Sequence, residues 1–249
     1  DAHTFKYEGG GASVLGGIQP NPLKMSIDGT LQTQDVIAAI KPNDVHFPKT
    51  KLVCLENTHA GMPLPPNYSL EIRDICTTND LAMHLDGARV FNAAVCAGLE
   101  PAKVVEHFDS VSFCLSKGLG APIGSLLVGT RDFIESGRRW RKVLGGGMRQ
   151  AGIIAAAGLY ALNNNIETLA CDHEKAEELY EALSRRFGHE SVRCGTNMLH
   201  LDIDQDLYTS LVKHLGREGV RVERPRWVIH RDISATAITK IKRLISSFK

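Results

Sequence analysis

The sequence lacks an excess of charge of either sign. Its 29 Lys and Arg stand against 28 Asp and Glu, a formal net charge of +1. That balance gives no electrostatic case for a nucleic-acid partner or an anionic membrane. Long apolar runs are missing too, so no segment is expected to span a bilayer. The six cysteines (Cys54, Cys76, Cys96, Cys114, Cys171 and Cys194) are widely spaced and form no CxxC pair. Cys54 and Cys114 fall inside strand-like apolar runs, where cysteine packs as a small hydrophobe. Reduced thiols are therefore expected, and with them an intracellular compartment: the cytoplasm, or the mitochondrion if a transit segment has been lost. The ten histidines are scattered, with no H-x-x-x-H and no Cys/His cluster at ligand spacing, so no metal site is expected. Gly9-Gly10-Gly11 and Gly145-Gly146-Gly147 lack the trailing Lys-Ser/Thr of a P-loop, and no GxGxxG follows a strand.

What is present is an ordinary globular composition, 43% hydrophobic and 23% charged over 249 residues. That length suits one medium domain and a small second one. Lys51–Glu56, Leu81–Asp86, Ser110–Leu115 and Ile123–Gly129 read as buried strands, with helical stretches at Tyr68–Asn79 and Phe91–Ala97. Strands alternating with helices predict an α/β fold, a mainly parallel sheet covered by helices. From about Gln150 the character changes. Ala151–Asn165 and Glu167–Phe187 read as helices. Strand Met198–Ile203, helix Leu207–Gly216, strands Val220–Glu223 and Trp227–His230 and helix Ala235–Phe248 then predict a small C-terminal α+β domain. The division is expected near residue 165, giving a large domain 1–165 and a small one 166–249.

Ligands of parallel sheets sit beyond the carboxyl ends of the strands. Asp86 ends one apolar run, Lys117 lies just past another, and the Asn57-Thr58-His59 turn follows a third. Asp86 could cap the next helix, and Lys117 could be a solvated loop lysine beside Gly118 and Gly120. Taken together, a strand-end acid and a strand-end lysine match the needs of pyridoxal 5'-phosphate. That cofactor requires a carboxylate to keep its pyridine nitrogen protonated and an amine to form a Schiff base. His59 is a turn histidine or a general base on the same rim. His3, near the start of the sequence, could stack its flat ring on a bound cofactor. Arg89, three residues after Asp86, is expected one helical turn further on and facing the same pocket. With Arg226 it could clamp a carboxylate in the bidentate way guanidinium favours; otherwise each is a surface arginine. Arg149, after three glycines, suits an anion such as phosphate.

Four segments in this order are highly specific: Leu55-Glu56-Asn57-Thr58-His59, His84-Leu85-Asp86-Gly87-Ala88-Arg89, Cys114-Leu115-Ser116-Lys117-Gly118-Leu119-Gly120 and Gly145-Gly146-Gly147-Met148-Arg149-Gln150. Together the sequence resembles the low-specificity L-threonine aldolases, pyridoxal-phosphate lyases of the aspartate aminotransferase fold (fold type I). The resemblance implies retro-aldol cleavage of L-threonine or L-allo-threonine to glycine and an aldehyde. It implies that Lys117 carries the cofactor, Asp86 pairs with its ring nitrogen and His3 stacks on the ring. It also implies that His59 lies near the substrate hydroxyl and that Arg89 and Arg226 bind the amino-acid carboxylate. Arg149 would reach the cofactor phosphate of a neighbouring subunit, making a homodimer or homotetramer with shared active sites. Family members carry a segment before the position of His3 that holds a phosphate-binding loop and a carboxylate-binding serine, which the resemblance implies is cleaved, separate or absent. A β-eliminating lyase of the same fold, or an inactive fragment, are the alternatives.

Overall fold

The short apolar runs ending at Glu56, Asp86 and Cys114 each form a strand in a computed structural model, which describes residues 1–248. Three short helices come first: α1 (His3–Lys6), α2 (Gly11–Gly16) and α3 (Thr33–Ala39). They are followed by β1 (Leu52–Glu56), α4 (Tyr68–Thr78), β2 (Ala82–Asp86), α5 (Val90–Ala97), α6 (Pro101–Val104), β3 (Ser110–Cys114), β4 (Ser125–Gly129), α7 (Arg131–Val143) and α8 (Gly152–Asn164). The sheet order is β1-β2-β3-β4. The first three strands are parallel, and β4 closes the row antiparallel to β3. The result is an α/β architecture, a mixed sheet flanked by helices with a small antiparallel sheet beside it.

Period decides which residues enter the core. Tyr68, Ile72 and Cys76 recur every four residues on α4 and are buried as one stripe. Met83 and Leu85 alternate on β2 and are fully buried between the layers. The second core belongs to α9 (Leu169–Phe187), β5 (Val192–Gly195), β6 (Met198–Leu201), α10 (Gln205–Arg217), β7 (Arg226–Val228) and α11 (Ala235–Ser247). Its three strands form an antiparallel sheet in chain order. Helix α9 joins the two cores: Leu169 packs into the first, while Ala176, Leu179 and Leu183 pack into the second. Asp204 and Ser234 cap α10 and α11 by accepting backbone N–H groups of the first turn.

Two sequence expectations need correction. Val220–Glu223 is not a strand. The Val220 N–H bonds to the Leu215 carbonyl, and Val220 and Val222 pack onto the second core without a ladder. The small sheet ends at β5 and β7, and this segment pairs with neither outer strand. The last strand of the large sheet starts at Ser125 rather than Ile123, and all five of its residues are exposed. Helices α1, α2, α3, α6 and α7 and strand β5 were not foreseen. Strand β5 is only four residues long, and α7 interleaves its apolar residues with arginines and buries none of them.

Candidate active site

Parallel pairing delivers strand ends to one rim. Glu56 of β1 lies in register with Asp86 of β2, and Asp86 with Ser112 of β3. Registered neighbours on parallel strands project to the same face, so two carboxylates stand side by side. Beyond Asp86 the chain turns sharply. The Gly87 N–H donates to the Ser112 carbonyl at 2.7 Å, and Asp86 Oδ1 accepts the Ala88 N–H at 3.1 Å. A Cβ on Gly87 would lie 2.9 Å from the Ser112 carbonyl oxygen, so this exit requires glycine. Burial pushes the Asp86 carboxyl above its ordinary value; the Ala88 N–H opposes that, the Glu56 charge adds to it, and Lys117 and His3 pull back. Asp86, Lys117 and His3 are thus brought within electrostatic reach of one another.

Lys117 sits in the turn after β3, half-buried. The turn is built to hold shape. The Gly120 N–H donates to the Lys117 carbonyl at 2.9 Å, and the Ala121 N–H to the Leu115 carbonyl at 3.0 Å. Leu119 is buried, and its carbonyl accepts from the buried Asn165 side chain at 2.7 Å. A Cβ on Gly118 would meet Leu169 at 2.8 Å, so α9 packs directly against the lysine turn.

His59 is largely buried, with 16% side-chain exposure, and its Nδ1 lies 3.0 Å from Glu56 Oε1. The other Glu56 oxygen accepts the backbone N–H of His3 at 2.7 Å. Burial pushes the Glu56 carboxyl up, but the hydrogen bonds from His59 and His3, with the charges of both, outweigh it and leave it below its ordinary value. The His59 turn is clamped from the small domain. His200 Nε2 lies 3.0 Å from the Ala60 carbonyl, and Thr196 Oγ1 donates to the Gly61 carbonyl at 2.8 Å. Gly61 has φ +88, and a Cβ there would overlap the Gly195 carbonyl oxygen and lie 2.8 Å from Met198 Cβ. Gly61→Ala is expected to lower unfolding stability by about 1–3 kcal/mol from backbone strain alone, read as a fall in denaturant midpoint.

Arg89 precedes α5 beside the large sheet, Arg226 lies on β7 of the small sheet, and the two are within electrostatic reach of each other. Burial lowers the Arg89 guanidinium from its ordinary value, and Arg226 lowers it further, while Cys114, Glu56 and Asp86 act the other way. Arg89 is partly buried and Arg226 exposed, so an anion placed between the two positive charges is attracted by both. His200 is paired in register with Arg226 across the small sheet. Cys54 on β1 is not part of this chemistry: burial pushes its thiol up to about 11, the behaviour of a packed hydrophobe.

The structure corrects two local expectations, the offset of Arg89 and the cap by Asp86, and places His3 and Arg149. Arg89 is not one helical turn along from Asp86. It is the residue before α5, at φ -130 and ψ 32, and reaches the rim because Asp86–Arg89 is a loop. Asp86 does not cap α5 but closes the Asx turn to Ala88. His3 is exposed, its Nδ1 2.8 Å from Glu8 and its ring 5.2 Å from that of Tyr7. Arg149 lies exposed in the segment between α7 and α8. Sequence reasoning gave Glu56 no role. The signal was there: Glu56 ends its apolar run as Asp86 ends the next. The small-domain clamp of Gly195, Thr196 and His200 had no signal, because it exists only once two distant turns meet.

The donor set fits pyridoxal phosphate. A carboxylate and an amine lie on one sheet edge, and Thr58 Oγ1, next to His59, is buried without a hydrogen-bond partner. A family model described as beta-eliminating lyase matches residues 1–205. The chain is 45% identical over 243 residues to the low specificity L-threonine aldolase of Escherichia coli, covering 96% of this chain and 73% of that one. It is 39% identical over 253 residues to low-specificity L-threonine aldolase 1 of Arabidopsis thaliana, covering 96% and 71%. The solved threonine aldolase of Leishmania major superposes with a TM-score of 0.71 at 19% identity, over 92% of this chain and 68% of that chain, a likeness of fold.

Proposed function

Since this chain belongs to the low-specificity L-threonine aldolases, within the beta-eliminating lyase family, we propose that it cleaves β-hydroxy-α-amino acids, L-threonine and L-allo-threonine among them, to glycine and an aldehyde. The observation that carries the reading is the shared rim on which Asp86 ends β2 and Lys117 follows β3, coupled electrostatically across one strand pair.

Pyridoxal phosphate, when bound, supplies the sink for the electron pair released as the Cα–Cβ bond breaks. Lys117 Nζ is the amine that tethers it. The Asp86 carboxylate holds a proton on the ring nitrogen, by offering a buried negative charge that the ring cation can pair with. His3 covers the ring. Arg89 and Arg226 bind the amino-acid carboxylate between them, which relieves their mutual repulsion and fixes which substrate bond faces the rim. His59 takes the β-hydroxyl proton, directly or through a water; positioned base help of this kind is worth about 10²–10⁴-fold. Arg149, exposed between α7 and α8, serves the cofactor phosphate of a neighbouring subunit in a homodimer or homotetramer.

We place the division of labour between a cofactor-binding unit, residues 1–165, and a small unit, residues 166–249, that brings Arg226 and clamps the His59 turn. Six free thiols agree with the cytoplasm or the mitochondrial matrix as the working compartment. Among the described residues no helix is long and apolar enough to cross a membrane.

The carboxylate clamp gives the next prediction. Arg226→Ala is expected to raise KM for L-allo-threonine about 10- to 150-fold, the worth of a hydrogen bond to a charged group. Arg226→Lys should recover only part of this, because an ammonium cannot form the bidentate pair. Steady-state kinetics across substrate concentration is the check. The reading itself is tested by assaying aldehyde release from L-allo-threonine with added pyridoxal phosphate.

A further inference from the structure

We propose that Glu56 is a positioning residue of this site: it fixes His59 in the Nδ1–H form, leaving Nε2 free to accept a proton, and at the same time fastens the His3 backbone to the rim. The inference rests on the aldolase reading for its consequence in turnover, but the contact stands on its own geometry.

Glu56 is the last residue of β1, so the sheet fixes its backbone, and its side chain is only 13% exposed. Each of its oxygens has a separate task. Oε1 lies 3.0 Å from His59 Nδ1 and Oε2 accepts the His3 N–H at 2.7 Å. An ionised carboxylate only accepts hydrogen bonds, so the nitrogen facing it must carry the proton. In the neutral ring the other nitrogen is then the acceptor. These hydrogen bonds hold the Glu56 carboxyl below its ordinary value, which favours its ionised, purely accepting form.

Gly29 lies close against the root of the His59 side chain: a Cβ at Gly29 would lie 2.6 Å from His59 Cβ and 3.4 Å from its Cγ. The other charged or titratable groups that reach His59 are Asp28 from the same turn as Gly29 and His200 from the small sheet. Asp28 is held by Thr30 through both its hydroxyl and its backbone N–H, at 2.7 and 3.0 Å. His200 is turned to the Ala60 carbonyl. Glu56 is therefore the carboxylate bonded to the ring.

The test has a structural arm and a kinetic arm. In the cofactor-free chain labelled with 15N-histidine, long-range NMR correlations report which ring nitrogen of His59 bears the proton, with His59→Asn identifying the signals. The wild-type ring is expected in the Nδ1–H form above its titration, and Glu56→Ala and Glu56→Gln should shift it toward the Nε2–H form. An unchanged tautomer in both variants would overturn the proposal, whatever the enzyme turns out to cleave.

In the kinetic arm, Glu56→Gln is expected to lower kcat for aldehyde release about 10–100-fold, the usual cost of losing the outer partner of a functional histidine. KM should change little, Glu56→Asp should recover part of the rate, and the acid limb of the pH profile should move. Adding Glu56→Gln to His59→Asn should cost little more, since the two act as a unit. Full multiplicative loss in the double variant would overturn action through His59. Absence of aldehyde release from the parent chain would count against the aldolase reading while leaving the NMR result to decide the Glu56 contact.

Discussion

Lys117→Ala is expected to fold normally, to retain no covalently attached cofactor after borohydride reduction, and to lose turnover by at least the about 10²–10⁴-fold assigned to a positioned proton-transfer group. The turn around Lys117 is held by groups other than its side chain: two backbone hydrogen bonds, the buried Leu119, and the Asn165 amide on the Leu119 carbonyl. Removing the butylammonium chain leaves all of these in place, so circular dichroism and thermal midpoint should scarcely move. Mass spectrometry of the reduced protein is the direct readout. The wild type should gain one reduced pyridoxyl phosphate on the peptide that contains Lys117, and the variant none. A variant that still gained the adduct at another lysine, with turnover kept, would remove Lys117 from the role given to it.

Asp86→Asn carries the second large effect, and its two readouts should move in opposite directions. Breaking a buried charge pair by removing one partner costs about 3–5 kcal/mol, so turnover is expected to fall by about 10²–10⁴-fold. Stability should go the other way. Burial raises the folded-state pKa of Asp86, with Glu56 adding to the rise. An acid whose pKa is raised on folding stabilises the fold only while it is protonated, and that contribution is lost as pH rises through the folded value. At neutral pH Asp86 is therefore a burden on the empty protein. Asparagine keeps the acceptor for the Ala88 N–H and removes the charge. The cofactor-free variant should melt at a slightly higher temperature than the wild type at pH 7, and the difference should vanish in acid. Loss of both activity and stability would mean that Asp86 serves the fold instead.

Both residues were legible in the sequence because strand ends are marked by local features. An apolar run stops at an acid in one case, and at a serine, lysine and glycine in the other. The helices and strands that place them follow from the same periodicities. Arg89 was found for a partly mistaken reason: Gly87 and Ala88 loop out before α5 begins, so a helical offset was not what brought it to the rim. Val220–Glu223 has the residue types of a strand, but its first N–H is taken by the Leu215 carbonyl at the end of α10 and it joins no ladder, which residue types alone do not reveal. Non-local contacts were the least visible. The hold of Glu56 on His59 and His3, and the grip of Thr196 and His200 on the His59 turn, join residues 53, 135 and 140 positions apart in three of their four hydrogen bonds. Nothing local in the chain encodes those distances.

The central claim is carbon–carbon cleavage on this rim, and the most direct measurement is product stoichiometry from L-allo-threonine with added pyridoxal phosphate. Glycine and acetaldehyde appearing in equal amounts, and failing to appear with Lys117→Ala, is the expected result. Ammonia with 2-oxobutanoate in their place would show β-elimination and contradict the account.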